Sequence, residues 1–360
     1  MTLPRRPFLG AAVRPAEGGL EITWIAPGSM AAQTLRVGDR LEAMDAAPVP
    51  DVEALRRALG SEGCVATLRR DGARHEVRLA PVPFPDERGP GALTYGALDV
   101  GGHRVRTILR RPSPDAPVLL FLPGIRPESV DFALAERRPA ARLVHGLVEA
   151  GFAVLRVDRF GLGDSEGPPC AGIDLETERT IYAAALDALG QPAFLFGHSV
   201  GGMLAPLLAR DREVLGVATF GTSARRWTRC LRDGIARQLR LRGRDEATVR
   251  RELEAFDADP LRDGRYDRTR AFHAQLDAAP LEEAWRALDA PCLFLVGEHD
   301  WVVSDEEQRE AASFAGGEVR VLPGVDHAFT RHETLAESLE RYGEGAFAAE
   351  LVHHVAAWRG

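Results

Sequence analysis

The sequence of 360 residues contains no lysine, so all 45 of its basic residues are arginines. Without lysine the chain cannot form a Schiff base, hold pyridoxal phosphate or build the lysine-containing loop that binds nucleotide phosphates. Asparagine is also absent, which excludes N-glycosylation and a Cys-His-Asn triad. The net charge of −8 argues against nucleic acid as a partner, because phosphate binding requires a basic field.

Cysteine is scarce and widely spaced. The four cysteines, Cys64, Cys170, Cys230 and Cys292, form no C-x-x-C pair and fit neither a disulfide framework nor a zinc site. We therefore expect a reducing, cytoplasmic location and no metal or organic cofactor. Long apolar runs are missing as well, so neither a secretory signal nor a transmembrane helix is expected.

A proline- and glycine-rich segment at residues 81–91, PVPFPDERGPG, divides the chain. This composition cannot sustain a helix or a strand and predicts a linker. The length of the chain also favours two domains. We therefore expect a short N-terminal domain at residues 1–80 and a long C-terminal domain at residues 92–360.

The N-terminal block alternates short strand-like runs with turns. A helix is predicted over Asp51–Leu59, with Asp51 as its cap. The strands that the pattern predicts are Phe8–Val13, Leu20–Ile25, Arg40–Met44, Val65–Arg69 and Glu76–Leu79. This order predicts a small, mainly-β barrel or sandwich.

Two runs in this block, ITWIAPGSMAA from Ile22 and LRVGDRL from Leu35, resemble a PDZ domain of the bacterial type. The resemblance implies an added-strand site for an extended peptide, whose terminal carboxylate is held by backbone N–H groups. The corresponding loop here is Pro7-Phe8-Leu9-Gly10. The alternative is a PDZ-like fold that only packs against its neighbour.

The C-terminal block contains continuous apolar runs separated by helical stretches. Strands that are apolar on both faces indicate a parallel sheet covered by helices, which is an α/β fold. The predicted strands are Val118–Leu122, Ala153–Val157, Ala193–Phe196, Leu215–Phe220, Cys292–Val296 and Glu318–Leu322, and the predicted helices are Leu134–Ala150, Leu175–Leu189 and Val200–Arg210.

The sequence Gly197-His198-Ser199-Val200-Gly201 is a G-x-S-x-G nucleophile elbow. It lies between a predicted strand and a predicted helix, which is the context that the motif requires. The glycines are needed because the turn is too sharp for side chains. Ser199 is therefore the candidate nucleophile.

A serine nucleophile needs a base, and the base needs a carboxylate that orients it. In this architecture the chain order is Ser, acid, His. Asp300 and His327 each follow a predicted strand and have that order, so we assign them as acid and base. The alternatives are His198, His299 or His332 as the base, with His332 at a predicted helix start, and Asp305 or Asp326 as the acid.

An oxyanion intermediate requires two N–H donors. The amide of Val200 follows the nucleophile, and the amide of Ile125 lies in the loop after the first apolar strand, in Pro123-Gly124-Ile125. Together with Asp158-Arg-Phe-Gly-Leu-Gly-Asp-Ser165, which we interpret as a structural turn, these residues resemble the α/β-hydrolase superfamily. Many members have His-Gly where this chain has Pro-Gly.

The resemblance also implies a helical cap at residues 222–290, where the sheet pattern is interrupted. Its charge runs suit a solvated helical face, although Arg225, Arg226, Arg229 and Arg232 could meet a phosphate or carboxylate on a carrier-bound substrate. The favoured function is hydrolysis of an ester or thioester through an acyl-enzyme. Acyl transfer, peptide cleavage and a PDZ adaptor with an inert hydrolase fold remain alternatives.

Overall fold

The computed structural model describes residues 3–27, 29, 31–59 and 63–358. The chain divides into two compact units: Pro4–Asp86, and Glu87 to the C-terminus together with Leu3. Within the described ranges, no helix has the length and apolar character needed to cross a membrane. The four cysteines are buried, and none is bonded to another.

The N-terminal unit is built on one antiparallel sheet with the strand order β2-β3-β4-β6-β7, beside a two-stranded ribbon of β1 and β8. Asp51 caps α2 by accepting a hydrogen bond from the Ala54 amide. The elements are β1 Pro7–Phe8, β2 Ala11–Ala16, β3 Gly19–Ile25, α1 Ala31–Thr34, β4 Arg40–Met44, β5 Ala47–Pro48, α2 Val52–Ala58, β6 Cys64–Arg70, β7 Ala73–Leu79 and β8 Val82–Pro83.

Two expectations for this region are wrong. Leu9 and Gly10 interrupt the strand predicted over residues 8–13, because Gly10 has a φ of +80°. The expectation that residues 81–91 hold no strand is also wrong, because Val82–Pro83 forms a short strand that pairs with Pro7–Phe8. Gly28 and Met30 of the PDZ-like run lie outside the described residues.

The C-terminal unit contains an eight-stranded sheet with the order β16-β15-β14-β13-β11-β12-β10-β9. Strands from β11 to β16 run parallel, while β9 and β10 form an antiparallel hairpin at one edge. The strands are β9 Ala92–Val100, β10 His103–Arg111, β11 Val118–Leu122, β12 Ala153–Val157, β13 Ala193–His198, β14 Val214–Phe220, β15 Cys292–Gly297, β16 Glu318–Leu322, and the small pair β17 Thr330–Arg331 and β18 Ala346–Phe347.

Helices cover both faces of this sheet. Along β11, Leu120 and Leu122 pack into one core, whereas Leu119 and Phe121 pack into the core on the opposite face. The helices are α3 Pro139–Glu149, α4 Leu175–Leu189, α5 Val200–Ala209, α6 Trp227–Leu241, α7 Glu246–Ala258, α8 Arg270–Ala278, α9 Leu281–Arg286, α10 Asp305–Ala315, α11 Leu335–Glu340 and α12 Glu350–Trp358. The helix expected from Leu134 begins five residues later, with proline in its first turn.

The predicted cap region holds four helices, and only part of it departs from the sheet layers. Leu281 and Trp285 of α9 belong to the core that also contains Phe294 of β15. The ring of Trp285 lies 5.0 Å from that of Phe294. Helices α6 to α8 therefore form the insert, whereas α9 is a regular helix covering the sheet.

Candidate active site

Ser199 lies at the sharp turn between β13 and α5, with a φ of 56° and a ψ of −122°. A positive φ is costly for a residue with a side chain and persists only where the surroundings impose it. A Cβ atom at Gly201 would lie 2.1 Å from the Leu122 carbonyl oxygen, and one at Gly197 would lie 2.5 Å from the Gly202 Cα. The close approach of α5 to the sheet thus requires both glycines.

Asp300 and His327 form a buried pair on the loops after β15 and β16. His327 Nδ1 donates to Asp300 Oδ2 over 2.7 Å. The other oxygen, Asp300 Oδ1, accepts from the amides of Val302 and Val303, each at 2.9 Å. The carboxylate is therefore fixed and acts as an acceptor toward the imidazole, which leaves Nε2 as the available base atom.

His198 connects this pair to the nucleophile. Its Nε2 donates to the backbone carbonyl of His327 over 2.8 Å, and the two imidazole centroids lie 4.9 Å apart. Burial, together with the neighbouring His327, lowers the pKa of His198 to about 3. His198 is therefore neutral and serves as scaffold. The Ser199 side chain makes no capping hydrogen bond to α5.

Gly221 is a site residue that the sequence analysis missed. It follows β14 with a φ of +65°, and its N–H donates to Gln308 Oε1. A Cβ atom here would lie 2.6 Å from His327 Nδ1 and 3.0 Å from Asp300 Oδ2. Gly221 therefore makes room for the Asp–His pair. A glycine directly after a core strand was the available signal.

The alternative histidines and acids have structural partners. His332 Nε2 donates to Asp326 Oδ2 over 3.1 Å, and Asp326 Oδ1 also accepts the amides of Ala328 and Thr330. His332 follows β17 and does not begin a helix, contrary to expectation, because the next helix starts at Leu335.

His299, an alternative base, and Asp305, an alternative acid, also have other partners. His299 Nδ1 bonds the His332 carbonyl, and Asp305 pairs with Arg309 along α10. Within the described residues, the carboxylate that pairs with the His327 imidazole is that of Asp300.

The loop after β11 lies against the nucleophile. A Cβ atom at Gly124 would be 3.6 Å from the Ser199 Cβ. Within the described chain the Ile125 amide has no acceptor, and Val200, the first residue of α5, has no intrahelical acceptor. These two amides are available to an oxyanion.

The segment 158–165 stabilises a turn. Asp158 accepts hydrogen bonds from Ser129 Oγ and the Val130 amide. Ser165 Oγ donates to the Asp158 carbonyl and accepts from the Arg106 amide. These contacts tie the turn to the neighbouring strand and to the loop after β11.

The four cap arginines are already paired with acids of the chain, so a role in binding a carrier phosphate lacks support. The pairs are Arg225 with Glu306 and Glu310, Arg226 with Asp277, Arg229 with Asp233, and Arg232 with Asp257. Arg226, Arg229 and Arg232 are exposed, as is usual for charged residues on a solvated helix face, whereas Arg225 is nearly buried against its partners.

In the part of the chain that the structure describes, no group of three or more His, Cys, Asp or Glu side chains is placed to hold a metal ion.

The predicted peptide-binding loop lies in the N-terminal unit, where Phe8 pairs with Val82 and Leu9 packs into the core. The Gly10 carbonyl accepts from the Ala26 amide.

A protein-family model and a characterised protein are similar to this chain in sequence. The sequence model of the alpha/beta hydrolase family matches residues 119–337. Esterase EstD of Thermotoga maritima is 21% identical over 291 residues, which cover 76% of this chain and 69% of that protein.

Among the solved structures that share the fold are two with bound ligands or analogues. Est1E from Butyrivibrio proteoclasticus with bound ferulic acid aligns with a TM-score of 0.50 and 16% identity, covering 73% of this chain and 99% of that one. DcsB in complex with its substrate analogue aligns with a TM-score of 0.51 and 17% identity, covering 74% and 98%.

Proposed function

This chain belongs to the alpha/beta hydrolase family, and we propose that it hydrolyses an ester or thioester through an acyl-enzyme formed on Ser199. The observation that carries the proposal is the 2.7 Å contact between His327 and Asp300, on two loops that end beside the Ser199 turn. The likeness to an esterase supports the choice of substrate bond.

In the proposed mechanism His327 Nε2 takes the Ser199 proton as the hydroxyl attacks the acyl carbonyl. The amides of Ile125 and Val200 bind the oxyanion that forms. His327 then returns the proton to the leaving alcohol or thiol, and a water molecule repeats the sequence to release the acid. Asp300 holds the imidazole and stabilises its protonated form.

The function is tested with a panel of p-nitrophenyl esters and acyl thioesters of varied chain length, together with fluorophosphonate labelling. The wild type should turn over members of the panel and label at Ser199. Ser199→Ala should lose labelling and about 10⁴-fold or more in kcat. A folded Ser199→Ala protein with substantial activity would place the nucleophile elsewhere.

His327→Ala and His332→Ala form a matched pair for the base, because both histidines are buried next to an aspartate. We expect His327→Ala to match the loss of Ser199→Ala. His332→Ala should keep kcat within about tenfold of the wild type. The reverse ranking would identify His332 as the base.

Acyl transfer to an alcohol or amine is a second candidate that uses the same acyl-enzyme. Acyl transfer is favoured if the helical insert excludes water from the acyl-enzyme. Measuring how the acyl group partitions between water and an added alcohol therefore separates hydrolysis from acyl transfer. Peptide cleavage is tested by adding peptide amides to the same panel.

For the N-terminal unit we propose a PDZ-like role in binding a peptide C-terminus. The edge position of β2 and the loop Phe8-Leu9-Gly10 support it. Titration calorimetry with C-terminal peptides tests this role. We also propose a cytoplasmic location, because four unbonded thiols suit a reducing compartment.

A further inference from the structure

Arg159, in the turn after β12, is bonded to the loop that carries Ile125. Its side chain is buried, and Nη1 donates to the Gly124 carbonyl over 3.2 Å. Nη2 donates to the Arg126 carbonyl over 2.5 Å and to the Glu128 carbonyl over 3.3 Å. One guanidinium thus holds the carbonyls on both sides of Ile125.

These bonds fix the direction of the Ile125 amide. The Gly124 carbonyl and the Ile125 N–H belong to one peptide group, and the described chain contains no cis peptide. In a trans peptide the C=O and N–H bonds point in opposite directions. Because Arg159 holds the carbonyl, the N–H is directed away from Arg159 and is left without a protein acceptor within the described residues.

Arg159 is itself held by a carboxylate shared with the helical insert. Glu178 of α4 is buried, and its Oε1 accepts from Arg159 Nη1 over 3.1 Å. Its Oε2 forms an ion pair with Arg268, which precedes α8 of the insert. Arg268 is buried, donates to the Cys170 carbonyl over 2.8 Å and lies over the Phe272 ring.

A second contact joins the same two regions at the surface. The guanidinium of Arg126 lies over the Tyr266 ring, and Arg126 Nη1 is 3.7 Å from Asp267 Oδ2. Tyr266 and Asp267 both have positive φ angles, 53° and 57°. Residues 266–268 of the insert therefore meet the Ile125 loop twice, once through buried charges and once directly.

We propose that Arg159 is a positioning residue for the oxyanion hole, and that Glu178 and Arg268 make its position depend on the helical insert. The inference rests on the proposed function, because it assigns the oxyanion to the Ile125 amide. When residues 266–268 shift, the shared carboxylate moves Arg159, and the Ile125 N–H loses its alignment. The insert thereby controls transition-state stabilisation at Ser199.

The test uses the full chain with Arg159→Lys, which keeps the positive charge but cannot reach three carbonyls and Glu178 together. Arg106→Lys is the matched control, since Arg106 also forms a buried pair, with Asp164, and its guanidinium donates to the backbone carbonyls of Gly96 and Leu3. Both proteins are compared below their unfolding temperatures with a short p-nitrophenyl ester.

We expect Arg159→Lys to lower kcat about ten- to a hundredfold with little change in KM. The affinity for a trifluoromethyl ketone, whose adduct carries an oxyanion, should fall by a similar factor. Arg106→Lys should change neither quantity by more than about threefold. Equal effects of the two variants, or an unchanged ketone affinity in Arg159→Lys, would overturn the proposal. Should Arg159→Lys not fold, Arg159→Gln is measured in the same way.

The link to the insert is tested with Arg268→Met, alone and combined with Arg159→Lys. Arg268→Met alone should lower kcat, as Arg159→Lys does. The double variant should have the kcat of Arg159→Lys alone, because the effects of two substitutions that act through one contact do not add. Additive losses would refute the link. Arg226→Lys weakens a pair within the insert and should leave kcat unchanged.

These outcomes are separable from failure of the proposed function. If Ser199→Ala retains activity, the proposed function itself is wrong. If Ser199→Ala is inactive while Arg159→Lys retains full kcat, only the positioning role is wrong.

Discussion

At the scale of single residues, the geometry of the site depends on positions that carry no chemistry. Gly221 touches neither substrate nor proton, yet a methyl group there would meet both members of the Asp300–His327 pair. Arg159 likewise acts only through the carbonyls that it holds. Catalysis is sensitive to such positions because displacement of a reacting group by about 1 Å can cost about 10² in rate.

Gly221→Ala should lower kcat on a small ester about a hundredfold, because its Cβ displaces the imidazole and the strained φ disfavours alanine. Steady-state kinetics at the optimal pH measure the effect. Gly243→Ala is the control, since Gly243 also has a positive φ but a Cβ atom there would meet no distant atom within 4 Å. Equal losses in the two variants would show that backbone strain alone is responsible.

The buried histidines predict acid sensitivity. Burial lowers the pKa of His198 to about 3, and burial also lowers the pKa values of His145 and His273. As pH falls below 6.5, the usual value, the unfolded chain binds protons that the folded chain does not bind. The Tm should therefore fall as pH decreases from about 6.5.

Scanning calorimetry from pH 7 to pH 5 checks this prediction. His198→Gln should reduce the dependence of Tm on pH, whereas the exposed His75→Gln should leave it unchanged. A Tm that stays constant over this range in the wild type would contradict the prediction.

At the scale of elements, the segment after the N-terminal unit contributes to the hydrolase core. Glu87 is buried and forms hydrogen bonds with Arg156, Arg110 and the Phe132 amide. Burial alone would raise the pKa of Glu87, but its bonds to Arg156 hold it below the usual value. A segment that the composition assigns to a linker thus supplies a carboxylate that two buried arginines require.

Glu87→Gln should destabilise the C-terminal unit by about 3–5 kcal/mol, because two arginines lose their buried counter-charge. Urea unfolding followed by circular dichroism measures this change. Glu246→Gln breaks an exposed pair with Arg240 and should have little effect. Similar midpoints for the two variants would show that the buried cluster contributes no net stability.

At the scale of the whole molecule, every residue assigned to the reaction lies in the part of the C-terminal unit that runs from Glu87 onward. A protein of residues 87–360 should keep the kcat and KM of the full chain on a small p-nitrophenyl ester. A protein of residues 90–360 should have a lower Tm, since it lacks Glu87. If the folded 87–360 protein were inactive on the small ester, the N-terminal unit would be part of the catalytic machinery.

The sequence by itself determined the strands, the helix and the turn that local residue patterns encode. Continuous apolar runs located β11 and β12 to the residue, because strands buried on both faces admit few polar side chains. The spacing of glycines around Ser199 marked the sharp turn, and chain order selected Asp300 and His327. Asp51 and the apolar periodicity located α2.

Only the tertiary structure decided the features that depend on contacts distant along the chain. The sequence did not predict the hairpin of β9 and β10, because its strands mix polar and apolar residues. Glu87 and Arg159 gain their roles from distant partners, since 69 residues separate Glu87 from Arg156 and 35 separate Arg159 from Gly124. Sequence periodicity reports which face of an element is buried, but not which distant backbone atom that face meets.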